Sequence, residues 1–188
     1  KGVEVEWINV DLNAKEQLDD AYRAINPRVA VPAMILDDGT LLTESVAICR
    51  YIEDLHPTPS LFGEDPKSRA ITEMWHRRVE LEGMAAGADG IRNSVEFFAG
   101  RALPGPENFE QIPALAERGK ARVGIFFNML DERLAASTYV AGEQFSVADI
   151  TALVACDFVK VLKIRVGDGH PNLKRWYDSV SSRPSARV

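Results

Sequence analysis

Asn26-Pro27-Arg28-Val29-Ala30-Val31-Pro32-Ala33-Met34-Ile35-Leu36, continued by Asp37-Asp38-Gly39 and Thr40-Leu41-Leu42-Thr43-Glu44-Ser45, is the stretch on which the fold turns. Ala33 to Leu36 reads as a short apolar strand, Asp37-Asp38-Gly39 as a hairpin turn and Thr40 to Leu42 as the return strand. Pro32 stands at the start of the first strand, directly after a turn, where a cis bond is tolerated. A cis peptide would leave the N–H and C=O of Val31 pointing outward, free to pair with an extended peptide as an added strand. A trans proline at a strand edge is the other reading. Glu44-Ser45 follows the return strand. Ser45 is a good N-cap for the helix that runs to Leu55, and with the free N–H groups of the first turn it makes an anion site. Glu44 can accept a hydrogen bond from an ammonium group. A carboxylate and an ammonium on one carbon are the α end of an amino acid; the alternative is that Ser45 only caps and Glu44 is solvated.

Upstream, Val3, Val5 and Trp7 alternate with Glu4 and Glu6, and Ile8, Val10 and Leu12 take up the other parity, the pattern of a central strand buried on both faces. Lys15 to Ile25 is helix-compatible, with Leu18, Tyr22 and Ile25 on one side, and Asn26-Pro27 ends it. The chain opens on Lys1-Gly2 with no basic-then-apolar leader and goes straight into the strand pattern, so further residues are expected upstream. Downstream, Val46, Ile48, Cys49 and Ile52 have helical spacing and His56-Pro57 stops that helix. Pro57 to Pro66 then holds three prolines and a glycine. Beyond it every periodic segment is helical: Lys67 to about Phe98, Pro113 to Leu134, Val147 to Leu162 and Pro171 to Ser181. The expected organisation is α/β plus all-α, with residues 1–57 as a mixed domain, 58–66 as a linker and 67–188 as an all-helical domain.

Composition narrows the function. With 188 residues, 46% hydrophobic and 27% charged, the chain is globular, and no apolar run approaches the roughly 20 residues of a membrane span. A formal net charge of −6 argues against a nucleic-acid partner. Cys49 and Cys156 have no metal-ligand or CxxC spacing, sit among apolar residues and read as inert core thiols of a reducing cytoplasm. His56 and His170 precede prolines and His76 stands alone on a helix, so neither a metal site nor a Ser-His-Asp arrangement is expected.

Two helical features stand out. Ile71, Met74, Leu81, Ala85, Ala88 and Val95 follow a 3-4 spacing that Arg78 and Arg92 interrupt, so these arginines, with Asn93, are candidates to meet an anionic substrate or a thiolate; ion pairing is the plainer alternative. Ala85-Ala86-Gly87-Ala88 permits close helix approach, as at a subunit seam. Phe145-Ser146-Val147-Ala148-Asp149-Ile150 fits a capping box, Ser146 to Asp149, with Phe145 and Ile150 as its hydrophobic staple.

In this order these features resemble the cytosolic glutathione S-transferases of bacterial or fungal type, over Lys1 to about Arg183. The resemblance implies a thioredoxin-like amino-terminal domain whose first strand and helix lie outside this sequence, followed by a helical domain in which the same Ser-x-x-Asp box opens a buried helix. It implies that Val31, before a cis-Pro32, holds the cysteinyl backbone of glutathione and that Glu44 and Ser45 hold its γ-glutamyl end. Many relatives carry a polar residue for the glycyl carboxylate where Val29 stands; Arg28 is the neighbouring substitute. The implied activity is attack of the glutathione thiolate on an electrophilic small molecule, a detoxification reaction with glutathione as co-substrate, no metal, and a cytoplasmic homodimer. The thiol-activating residue of most relatives falls in the segment outside this sequence, so the catalytic residue is left unassigned; in a branch that uses a held water, Arg92, Asn93 or Ser94 would serve. Two other classes stay open: a non-catalytic interaction protein, and a disulfide reductase or dehalogenase that uses glutathione.

Overall fold

The computed structural model describes residues Lys1–Arg187. They form two compact units, Lys1–Pro59 with Gly100–Phe109, and Ser60–Ala99 with Glu110 onward.

In the first unit the hairpin is found where the turn chemistry puts it. Strands β1 (Ala33–Ile35) and β2 (Leu41–Thr43) are antiparallel, with Ala33 opposite Thr43, Met34 opposite Leu42 and Ile35 opposite Leu41. Gly39 takes φ 84°, its N–H bonds to the Leu36 carbonyl at 2.9 Å, and the Asp38 carboxylate accepts the Thr40 N–H at 2.9 Å. Helix α1 (Asp20–Ile25) precedes the hairpin and α2 (Ser45–Leu55) follows it. The end of α2 is closed from a distance. Lys1 Nζ donates to the carbonyls of His56 at 2.5 Å and Pro59 at 2.7 Å, and pairs with Glu53 at 2.7 Å, the two side chains each 8% exposed.

Two expectations for this unit are corrected. Residues 3–12 form no ladder among the described residues; Trp7 and Ile8 are 88% and 80% exposed. Alternation makes a segment competent to be a strand, but a strand exists only against a partner, and β1 and β2 pair with each other. Helix α1 is also shorter than its periodicity. The Asp11 carboxylate takes the N–H groups of Asn13 and Ala14 at 2.8 and 3.1 Å, Lys15 is left-handed at φ 63°, and only one 3-10 turn (Glu16–Leu18) forms before Asp20. Short acidic side chains offer the backbone partners that compete with the helix.

The second unit is helical: α3 (Pro66–Arg78), a π-wound segment (Val79–Met84), α4 (Ala85–Arg92), α5 (Pro113–Ala135), α6 (Val147–Phe158) and α7 (Pro171–Ser181). Asp65 and Ser68 cap α3 reciprocally and Pro66 sits in its first turn, where a missing N–H costs nothing. The core gathers Trp75, Val79, Val123, Phe126, Leu130, Ala148, Cys156, Leu173 and Trp176. No helix among the described residues is long and apolar enough to cross a membrane.

The stripe Ile71, Met74, Leu81, Ala85 is not the buried one: Met74 and Leu81 are 42% and 52% exposed. The buried positions are Thr72, Trp75, His76, Val79, Gly83, Ala86, Gly87, Gly90 and Ile91, one step round the helix. The π segment, with its wider turn, adjusts the phase between α3 and α4. Arg78 therefore does not interrupt a core face. Small residues are buried here because the neighbours come so close. A Cβ on Gly83 would lie 2.5 Å from the Phe126 ring, and one on Gly119 of α5 would lie 2.4 Å from the Gly90 nitrogen of α4. Within Ala85–Ala88, Ala86 and Gly87 are buried inside the chain, and a Cβ on Gly87 would lie 2.9 Å from the Val159 side chain.

The capping box is present and does more than cap. Asp149, fully buried, accepts the Ser146 N–H and hydroxyl at 2.9 and 3.1 Å, the Val140 N–H at 2.9 Å and the Trp176 indole N–H at 2.9 Å. Burial pushes its carboxyl above the usual carboxylate range, against the pull of those donors. At the staple positions, Ile150 is 41% exposed, and Phe145 meets Tyr139 edge-on at 5.8 Å and the Arg183 guanidinium at 3.9 Å.

Candidate functional site

The hairpin register brings the candidate residues of the first unit together. Because Ala33 lies opposite Thr43, the residues just before β1 and just after β2 emerge at the same end of the ladder. These are Val31-Pro32 and Glu44-Ser45. Directly opposed residues of an antiparallel pair are about 4.5–5.5 Å apart at Cα, so the two dipeptides begin within one short side chain of each other.

Each half has its own geometry. The Val31-Pro32 bond is cis. Among the described residues the N–H and C=O of Val31 make no hydrogen bond, and its side chain is 40% exposed. Glu44 holds φ 65°, a region that costs a non-glycine residue of order 1 kcal/mol and persists only where the surroundings impose it. Its carbonyl accepts the Ile48 N–H at 3.1 Å, which makes Glu44 the N-cap and Ser45 the first helical residue. Ser45 is therefore not the cap that the sequence pattern suggests. No side chain caps α2, so its first N–H groups are left for another acceptor.

The loop that delivers Val31 is held by residues that sequence reasoning treated as ordinary. Asn26, 1% exposed, donates from Nδ2 to the Ala30 carbonyl at 2.7 Å and accepts the Arg28 N–H at 3.0 Å. The Tyr22 hydroxyl donates to the same Ala30 carbonyl at 2.7 Å. Val29, at φ 49° and 3% exposed, anchors the loop in the unit, while Arg28 is exposed. An Asn-Pro pair signals a helix end; the structure shows that its amide also bonds across the next four residues.

Each candidate from the helical unit has a partner within that unit. Arg78 is exposed with its guanidinium 4.8 Å from the Trp75 ring centre, and Arg92 lies 4.5 Å from that of Phe98. Asn93, 6% exposed, donates to the Asp89 carbonyl at 2.9 Å and accepts the Ile112 N–H at 3.0 Å, clamping the end of α4 to the start of α5. Ser94 donates to the Gly90 carbonyl at 2.7 Å. Gln111, which sequence reasoning missed, donates to the carbonyls of Arg92 and Val95 at 2.9 and 2.8 Å. His76 is fully buried with Nε2 3.0 Å from the Thr151 hydroxyl. Cys156 is buried, its thiol pushed up to about 12 by burial, whereas Cys49 is exposed, contrary to its reading as core. Among the described residues no group of three or more His, Cys, Asp and Glu side chains is placed to hold a metal.

The family described as "Glutathione S-transferase, N-terminal domain" matches residues 1–60, and "Glutathione S-transferase, C-terminal domain" matches residues 97–184. Glutathione S-transferase 2 of Saccharomyces cerevisiae is 33% identical over 190 residues, covering 97% of this chain and 76% of the yeast protein. The chain belongs to the glutathione S-transferase family. The crystal structure of a class Gtt2 glutathione S-transferase of Vibrio parahaemolyticus superposes with a TM-score of 0.83 at 36% identity, over 100% of this chain and 86% of that one. Protein LigF of Sphingobium, whose structure is described as a beta-etherase, is 29% identical over 222 residues, covering 100% of this chain and 83% of LigF. Residues 1–60, which hold the hairpin end at Val31 and Glu44, accordingly match the thioredoxin-like amino-terminal domain of the family, and residues 97–184 match its helical carboxy-terminal domain.

Proposed function

We propose that this transferase-family chain binds glutathione at the hairpin end and joins its sulfur to an electrophilic small molecule. The observation that carries this is the Ala33–Thr43 pairing, which sets a backbone segment with free hydrogen-bonding groups beside an acid and an uncapped helix start. Val31, ahead of Pro32, pairs with the cysteinyl backbone of the tripeptide as an added strand. Ser45 and the first N–H groups of α2 receive the γ-glutamyl carboxylate, and Glu44 receives its ammonium. Arg28, exposed on the same loop, takes the glycyl carboxylate. In the reaction the thiolate forms the new carbon–sulfur bond and the leaving group departs with the electron pair. A free thiol with a pKa near 8.5 is mostly protonated at neutral pH, so the bound sulfur needs a donor that favours the thiolate. The resemblance to LigF favours one second reading, in which the carbon attacked belongs to an ether and the oxygen leaves, taking a proton from water.

The working form is a cytoplasmic homodimer, for which exposed Met74, Leu81 and Ile125 on the helical unit supply apolar surface. Titration of glutathione into wild type and Glu44→Ala tests the site: weaker binding in the variant by about tenfold is expected for a lost charge-assisted hydrogen bond. Equal affinities remove Glu44 from the site, and failure of wild type to bind glutathione leaves an interaction protein of the same fold.

A further inference from the structure

Lys15, Glu44 and Lys163 have positive φ, and all three are unbranched and exposed. Val29 shares the left-handed region at φ 49° but is β-branched and 3% exposed. For a β-branched residue this backbone shape is a true outlier, because Cβ is brought against the following carbonyl, and it persists only where the surroundings over-determine it. Two sets of contacts do so here. Burial of a valine side chain offsets about what the left-handed turn costs. The Val29 N–H also closes a turn on the Asn26 carbonyl at 2.9 Å, and the Arg28 N–H is held on the Asn26 side chain at 3.0 Å.

One residue on, the Ala30 carbonyl receives both the Tyr22 hydroxyl and the Asn26 amide at 2.7 Å. Two donors converging on one oxygen fix the direction of that C=O. The Ala30–Val31 peptide is planar and trans, so the Val31 N–H points the opposite way from the Ala30 carbonyl, away from Tyr22 and Asn26. Val31 is 40% exposed and its N–H makes no hydrogen bond among the described residues, which leaves that donor directed outward and open. A change of φ at Val29 swings Ala30 relative to Asn26, and the carbonyl cannot then stay on both donors. The direction of the Val31 N–H is thus set two residues earlier, by a backbone shape that valine adopts only under constraint.

We propose that Val29 is a positioning residue for the bound tripeptide: its buried side chain holds the left-handed turn that keeps the Ala30 carbonyl on Tyr22 and Asn26, and so aims the Val31 N–H at the ligand. This rests on the glutathione reading given above. Calorimetric titration of glutathione, and amide hydrogen exchange at saturating glutathione, are compared for the full chain as wild type, Val29→Ala and Val29→Gly. The Leu36 N–H, bonded to the Thr40 carbonyl at 2.9 Å, reports whether the hairpin is intact. In wild type, saturation is expected to slow Val31 exchange by about tenfold, as one added hydrogen bond would. Glycine has the turn available but nothing to hold it, and is expected to lower glutathione affinity by about tenfold and cut Val31 protection to about twofold or less, with Leu36 unchanged. Alanine, which keeps Cβ and loses the branch, falls between. The proposal is overturned if both variants bind and protect as wild type does, or if affinity falls while Val31 stays fully protected. Loss of Leu36 protection in both variants overturns it too, because Val29 is then a residue of the fold alone. Failure of wild type to bind glutathione is a separate result, read from the wild-type titration, and removes the reading beneath the proposal.

Discussion

Trp176 on α7 donates its indole N–H to the Asp149 carboxylate at the start of α6, 2.9 Å away in a fully buried setting. The same carboxylate closes the Ser146 capping box and holds the Val140 N–H. One side chain therefore ties two helices and a loop. Asp149→Ala should cost more than a helix cap alone: the cap is worth about 0.5–2 kcal/mol, and each buried donor left without an acceptor adds roughly 1–3 kcal/mol. We expect a loss of about 3–5 kcal/mol in urea unfolding. A loss no larger than that of Ser146→Ala would show that the indole and Val140 bonds are not coupled to it.

Asp131 on α5 takes the N–H groups of Asn172 and Leu173 at 2.8 and 2.9 Å, capping α7 from outside. Burial pulls its carboxyl upward, but the Leu173 and Asn172 donors, with His170 nearby, outweigh it and hold the group below its ordinary value. A depressed folded value means that the stabilisation is present above the unfolded pKa, about 4, and lost as the pH falls through the folded one. Asp131→Asn keeps an acceptor and removes the charge. Its deficit against wild type should be full at about pH 7 and shrink below about pH 4 in denaturant midpoints; a deficit constant over that range would count against the assignment.

Gly119 and Gly124 lie on the same helix and should respond in opposite directions to alanine. A Cβ on Gly119 meets the Gly90 nitrogen at 2.4 Å and the Ala86 carbonyl at 2.7 Å, whereas one on Gly124 meets nothing within 4 Å. Gly119→Ala is expected to lose about 1–3 kcal/mol through overpacking. Gly124→Ala is expected to gain about 0.5–1 kcal/mol from helix propensity. Thermal melts of the two single variants decide it, and equal effects would mean that the α4–α5 approach is looser than these distances.

Asn26 fixes the turn that carries Val31. Asn26→Ala removes the bond to the Ala30 carbonyl and the acceptor of the Arg28 N–H, so the loop should lose its set position. Glutathione affinity is expected to fall by about tenfold, with Asn26→Asp, which keeps only the acceptor, in between. Unchanged affinity in both variants would place the positioning elsewhere, on Tyr22 or Val29.

What was legible in the sequence is what neighbours along the chain determine. Asp-Gly between apolar runs specifies the hairpin, Pro66 behind Asp65 specifies a helix start, and Ser146 with Asp149 specifies a capping box, because the partners lie within four residues of each other. The juxtaposition of Val31-Pro32 with Glu44-Ser45 also follows from the turn, since a hairpin of fixed loop length sets its own register. Three things were decided only by packing between distant segments. Residues 3–12 alternate like a strand yet have none to pair with among the described residues. The buried stripe of α3 and α4 is one position away from the row of large apolar side chains, because close contact with α5 favours glycine where sequence reasoning looks for methionine and leucine. The amide of Asn93 became a clamp through its bond to the Ile112 N–H, which the fold brings near from 19 residues away. Periodicity records which face of an element is apolar, but which face is covered depends on the shape of what arrives against it.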